Sequence, residues 1–256
     1  MNVTPIIYVV YSNTDYLPIL RIQSDYIAKY SNKILFINNN STLDLIDIYS
    51  KYDNVIFYNN NTPYATRLFD CLTQLSYSHI LLIHHIDILL YSDEEILNKL
   101  LHTMSVHNID RIDLKYTSDT ISPNNIEFSD SISLIQQKDI GKYIYNVNPS
   151  IWKRESFLSI LSKFKHCGYR DVEGLDMQIF CSNYNIYKIH SPMFVRCGYF
   201  ECVDFFKFLH ISHGGKLLRL NDSRTTIYGQ SYDDIYDEYK TIVDKYNLKH
   251  SEKTNT

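Results

Sequence analysis

The chain has 256 residues, 45% of them apolar, and a formal charge of −4; this allows one large domain or two small ones with a sizeable core and excludes the electrostatic footprint of a nucleic-acid or membrane-surface binder. Its 5 cysteines are odd in number and form no CxxC, which excludes a disulfide framework and a zinc knuckle and fits a reducing compartment. With 7 glycines and neither GxGxxG nor a Walker-type loop, any phosphate has to be held by a cation or by side chains.

Met1 to Pro5 lacks the basic segment of a signal peptide, so the expected location is the cytoplasm. The 23 tyrosines and the abundant Asn and Ile reflect an AT-rich genome more than function. Pro5 to Tyr11 is a continuous apolar run, the pattern of a buried parallel strand. Ser12-Asn13-Thr14-Asp15 is a turn and helix cap, and Ile19, Ile22, Gln23, Tyr26, Ile27 and Tyr30 follow at helical spacing. Lys33 to Ile37 predicts a second strand ending in Asn38-Asn39-Asn40-Ser41, Leu45 to Tyr52 a short helix, and Asn54 to Tyr58 a third strand ending in three asparagines. Thr62 caps the next helix with Pro63 at its first position, and Ala65, Leu68, Phe69, Leu72 and Leu75 form its apolar face.

The stretch His79 to Leu90 then reads as one buried strand interrupted by His84, His85 and Asp87. It is too short and too polar to cross a bilayer, and three polar groups in so apolar a run cost too much desolvation to be filler. The order β-α-β-α-β-α-β requires a parallel sheet with covering helices. Its polar strand ends all fall on one edge, where open α/β sheets bind ligands.

The pattern changes after Leu90. Ser92 to Glu95 is a capping box opening a helix through Ile96, Leu100 and Met104. Arg111 to Tyr116 is a strand, Thr117 to Asp130 a polar loop, and Ser131 to Ile135 and Lys142 to Val147 are strands of a mixed second part. A helix through Phe157, Leu158, Leu161 and Phe164 follows the only tryptophan, Trp152. Asp171, Glu173 and Asp176 stand beside Arg170 before another helix (Leu175, Ile179, Phe180). Ile186 to Ile189 and Met193 to Tyr199 are short strands, and His210 to Lys216 is a polar turn. Ser231 caps a last amphipathic helix, and Lys249 to Thr256 is a disordered tail. The expectation is an α/β chain with one domain over 1–248, a nucleotide-binding half at 1–92 and an acceptor half at 93–248.

Three patches resemble GT-A-fold glycosyltransferases, in particular a set of bacterial and viral enzymes using nucleotide-sugar donors. Tyr64 to Leu68 leading into His79 to Asp87 is similar to the helix with a donor-contacting arginine that precedes the family's acidic metal strand. Asn148-Pro149-Ser150-Ile151-Trp152-Lys153-Arg154-Glu155 resembles its "QPxIWKKE" signature, and Arg170 to Glu173 followed by Gly215-Lys216 its "W-x-F-E" and "GK". The resemblance implies a GT-A-like, Rossmann-like, mostly parallel sheet flanked by helices, with a mixed second half. It implies transfer of a sugar from a UDP- or GDP-sugar to a hydroxyl acceptor, with inversion. Tyr11, Asn38 and Asn39 are the implied base and ribose contacts. Arg67, His84, His213 and Lys216 are implied at the phosphates, and His85 and Asp87 as ligands of Mn²⁺ or Mg²⁺. Glu173 is the implied base, with Asp171 and Asp176 as alternates. Asp171 and Trp152 are implied on the acceptor side. Where the family has its acidic metal motif, this chain has His85-Ile86-Asp87, and imidazole suits Mn²⁺ better than Mg²⁺. Two other readings stand beside this one: a binding module of the same fold without transfer, and a sugar-phosphate nucleotidyltransferase. The glycine-rich loop of the nucleotidyltransferases is absent after the first strand.

Overall fold

A computed structural model describes residues 6–39, 45–117, 124–129, 132–139, 144–196, 201–213, 216–217 and 236–248. Four strands open the chain: β1 (Ile6–Tyr11), β2 (Lys33–Asn38), β3 (Asn54–Tyr58) and β4 (His79–His84). They pair in parallel in the order β3-β2-β1-β4. The links between them are α1 (Leu17–Ile27), α2 (Ile46–Tyr49) and α3 (Tyr64–Leu72). The order reverses between β1 and β4. β2 and β3 are laid on one side of β1, and β4 is laid on the other.

The run 79–90, expected as one strand, is two. His85 and Ile86 form a turn, and β5 (Asp87–Ser92) leaves the main sheet to pair antiparallel with β13 (Phe206–His210). The helix α4 (Glu94–Val106) is capped by the Asp93 side chain on the Ile96 N–H, one residue after the expected Ser92. Likewise α3 starts at Tyr64, with Pro63 in the cap position.

The main sheet continues from β4 through β9 (Ser150–Lys153), β6 (Arg111–Tyr116), β10 (Ile186–His190), β8 (Ile132–Gln136) and β7 (Ile126–Ser129). β9 and β8 run against the others, so the sheet is mostly parallel in direction but mixed in its second half. β7 lies inside the segment 117–130 expected to be loop. The expected strand at 142–147 is irregular chain over its described residues 144–147. The short β11 (Phe194–Arg196) and β12 (Glu201–Val203) pair with each other, and β12 also touches β6. β14 (Ser212–His213) and β15 (Lys216–Leu217) pair antiparallel where a polar turn was expected. Helices α5 (Arg154–Lys163), α6 (Leu175–Cys181) and α7 (Tyr236–Lys245) complete the elements. The proposed cap at Ser231 and the tail 249–256 lie outside the described residues. Among the described residues, no helix is long and apolar enough to cross a membrane.

Strand alternation splits the core in two. Tyr8, Val10, Leu81 and Ile83 face a layer built from α1, α4, α7 and β13. Ile7, Val9, Ile80 and Leu82 face α3, α5 and α6. Tyr11 and His84 continue that second parity to the sheet edge and emerge beside α3.

Candidate functional site

The C-terminal ends of β1 and β4 flank the point where strand order reverses. Tyr11 and His84 are register partners there. The Tyr11 ring stacks on Tyr58 at 5.2 Å and meets Tyr64 edge-on at 5.3 Å. Tyr64 begins α3, and its hydroxyl and His84 Nε2 are hydrogen-bonded at 2.6 Å. Tyr169 packs edge-on against both Tyr64 and His84, at 5.1 and 6.0 Å.

His85, in the turn, keeps its main-chain N–H on the Tyr11 carbonyl at 2.9 Å and lays its ring on Tyr16 at 3.8 Å. Asp87 is buried, and its Oδ1 lies 2.6 Å from Nδ1 of buried His210 across the β5–β13 ladder. Burial, then the charge of neighbouring His85, pushes His84 down to about 3. Burial likewise pushes His85 down to about 4, and nearby His210 adds to that effect. Both rings are therefore neutral at physiological pH.

Ser12 Oγ is buried at this point without a hydrogen-bond partner, and the remaining ring nitrogens of His84 and His85 lie beside the Val147 and Tyr11 main chains without a well-formed bond. Such orphans are rare in folded chains. Here they sit on consecutive or register-matched residues at the carboxyl ends of β1 and β4, where α/β sheets form a crevice at the reversal of strand order.

Glu173 approaches from the second half of the chain. It ends a 3₁₀ turn, Asp171–Glu173, and its Oε1 accepts the Val147 N–H at 3.0 Å. The Val147 main chain also lies beside the His84 ring. Burial of the Tyr169 phenol, then the Asp87 and Glu173 carboxylates, push the Tyr169 ionisation up. The Glu173 carboxylate also acts on Tyr64 and Tyr145, so it belongs to the same cluster.

The loop carrying Val147 is held by a buried network. Fully buried Arg111 donates to the Ile144 carbonyl at 3.0 Å and to Asn146 Oδ1 at 2.6 Å, and Asn146 Nδ2 donates to Asp113 Oδ2 at 2.7 Å.

The remaining expected residues are placed as follows. Asn38 is buried and spends its amide on Thr14, accepting the N–H at 2.9 Å and donating to Oγ1 at 3.0 Å. Asn39 is exposed, with its N–H on the Tyr58 carbonyl. Arg67 lies over the Tyr58 ring and donates to the Thr62 and Asn60 carbonyls, bracing the turn before α3. Asp171 accepts the Gly168 N–H at 2.9 Å, and Asp176 is exposed in the first turn of α6. Trp152 is 1% exposed and stacks on Phe157 at 4.3 Å under the Arg111 guanidinium. It has no face to offer an acceptor sugar, so the acceptor-side placement implied by the resemblance is corrected to a core role. His213 and Lys216 are register partners in the β14–β15 pair, and their side chains lie outside what is described.

Among the described residues no three His, Cys, Asp or Glu side chains come together as a metal-holding group. Asp87 Oδ1 is engaged by His210 Nδ1. Sequence reasoning missed Ser12, Tyr64, Tyr169, His210 and the Arg111 network. Their partners lie far away in the chain, and no local pattern marks them.

No protein-family model and no curated protein matches the sequence. Among solved structures the chain is similar to a cytidylyltransferase from Leptospira borgpetersenii, at 11% identity and TM-score 0.46 over 97% of this chain and 99% of that one. It is similar to 4-diphosphocytidyl-2C-methyl-D-erythritol synthase from Anaerococcus prevotii, at 15% identity and TM-score 0.44 over 73% of this chain and 87% of that one. It is also similar to S. aureus TarS 1-349 in complex with UDP-GlcNAc, at 15% identity and TM-score 0.43 over 72% of this chain and 58% of that one. At these scores the likenesses carry no argument about activity, and the site is read from its own geometry.

Proposed function

We propose that this chain is a glycosyltransferase that moves a sugar from a UDP- or GDP-sugar to a hydroxyl acceptor with inversion. The observation that carries the reading is the cluster of buried, incompletely hydrogen-bonded polar groups on Ser12, His84 and His85. They stand at the reversal of strand order, where α/β sheets take nucleotides, and a bound donor would satisfy them. In the proposed step the acceptor oxygen bonds to the anomeric carbon as the bond to the diphosphate breaks. The acceptor proton passes to Glu173, whose Oε1 is already steadied by Val147. The diphosphate leaves with the bond pair. Nothing in this step is routed through a metal.

A second reading, binding without transfer, is favoured by one observation: Asp87 is engaged by His210. Incubating the protein with UDP- and GDP-sugars and a simple alcohol, with Mn²⁺ and with EDTA, separates the readings. Release of nucleoside diphosphate supports transfer, release of a sugar 1-phosphate indicates nucleotidyl transfer, and binding without release indicates a module. Glu173→Gln should keep fold and donor affinity while lowering transfer about 10²–10⁴-fold. Normal transfer by that variant would move the base to another residue, with Asp176 the next to test.

A further inference from the structure

A second recess lies at the opposite edge of the sheet, where β7 and β10 begin and β8 ends. It is a cleft of about 640 Å³ whose lining includes His107, Asn124, Asn125, Glu127, Gln136 and Tyr187. Its position separates it from the crevice, which sits at the carboxyl ends of β1 and β4.

The lining is neutral to acidic. None of its described residues is Lys or Arg, so it does not suit a phosphate or carboxylate, and a single Glu is a poor cation trap. What it offers is amides. Asn124 Nδ2 donates to Gln136 Oε1 at 3.0 Å, and Gln136 Nε2 lies 3.4 Å from Asn185 Oδ1. The Asn185 side chain in turn donates to the Asn108 carbonyl at 3.1 Å. This row fixes the orientation of the amides along one wall. Beside it both polar atoms of Asn125, Oδ1 and Nδ2, are buried with no partner. An unpaired donor and an unpaired acceptor on one planar group match two neighbouring hydroxyls. Buried polar groups left in this state are costly unless something binds them.

We infer that this cleft is a carbohydrate-binding site, taking an uncharged, hydroxyl-rich sugar residue between Asn125 and the Asn124–Gln136 amide row. The recess is wide open to solvent, so a bound sugar would keep one face in water. The inference is independent of the proposed transfer reaction, which takes place at the other edge.

Saturation-transfer NMR on the full chain, with methyl glycosides of glucose, galactose, mannose and N-acetylglucosamine as probes, tests it. At least one glycoside should receive transfer. Asn125→Ala should weaken that binding roughly tenfold or more, the order expected for a lost hydrogen-bonding pair. The variant should melt where the native chain does, because the amide has no protein partner to lose. Any signal given by UDP should be the same in both proteins. Absence of transfer to all four glycosides overturns the inference, as does glycoside binding that survives Asn125→Ala.

Discussion

Two adjacent histidines, His84 and His85, show what burial does to a single side chain. His84 is ringed by Tyr11, Tyr64 and Tyr169, and His85 faces Tyr16 and His210. Folded, they protonate only near about 3 and about 4, whereas the ordinary value is 6.5. Below pH 6.5 the unfolded chain therefore takes up protons that the native chain refuses. The stability these neutral rings allow is complete above 6.5 and is lost as pH falls toward 4. Each ring contributes a slope of up to about 1.4 kcal/mol per pH unit. His85→Gln should flatten the dependence of melting temperature on pH between 4 and 6.5. An unchanged slope would mean that His85 is already charged in the native state. The polar character of His84, His85 and Asp87 was legible because each interrupts an apolar run. Their partners were not legible: Tyr64 is 20 residues from His84, and His210 is 123 from Asp87.

At the scale of elements, β6 and the 144–148 loop hold each other. Arg111 and Asp113 are both fully buried, 3.7 Å apart, and share Asn146. Removing only one member strands a buried charge, which costs about 3–5 kcal/mol. Arg111→Met should therefore destabilise the chain by about that amount in urea unfolding. Arg111→Met combined with Asp113→Leu should cost less than Arg111→Met alone. A double variant worse than the single one would refute the pairing. The network also explains two misread elements. Ile144 and Tyr145 are apolar and buried, so 142–147 looked like a strand. The Ile144 carbonyl instead accepts from the Arg111 guanidinium, and the Tyr145 N–H and carbonyl are taken by the Gln178 side-chain amide. His85-Ile86 contains neither Gly nor Pro, so nothing local announced the break between β4 and β5. In contrast β1 and β2 were plain from sequence, because a strand buried on both faces is an unbroken apolar run ending in polar residues.

The molecule as a whole is ordered by one long sheet whose first four strands follow from local pattern and whose later strands depend on distant partners. β5 is the sharpest case. Its Ile88-Leu89-Leu90 centre is buried between α1, whose Gln23 accepts the Leu89 N–H, and β13, which completes its ladder, and His210 follows Asp87 by 123 residues. A ribosome adding ~5–20 residues per second needs on the order of ten seconds to bridge that interval. For that time a greasy strand has left the tunnel with one edge bare, and it is a natural handhold for chaperones. Nascent chains arrested before Phe206 should be cut by protease within 87–92, and chains arrested well past His210 should resist. Equal cleavage in both would show that β5 finds cover before its partner is made.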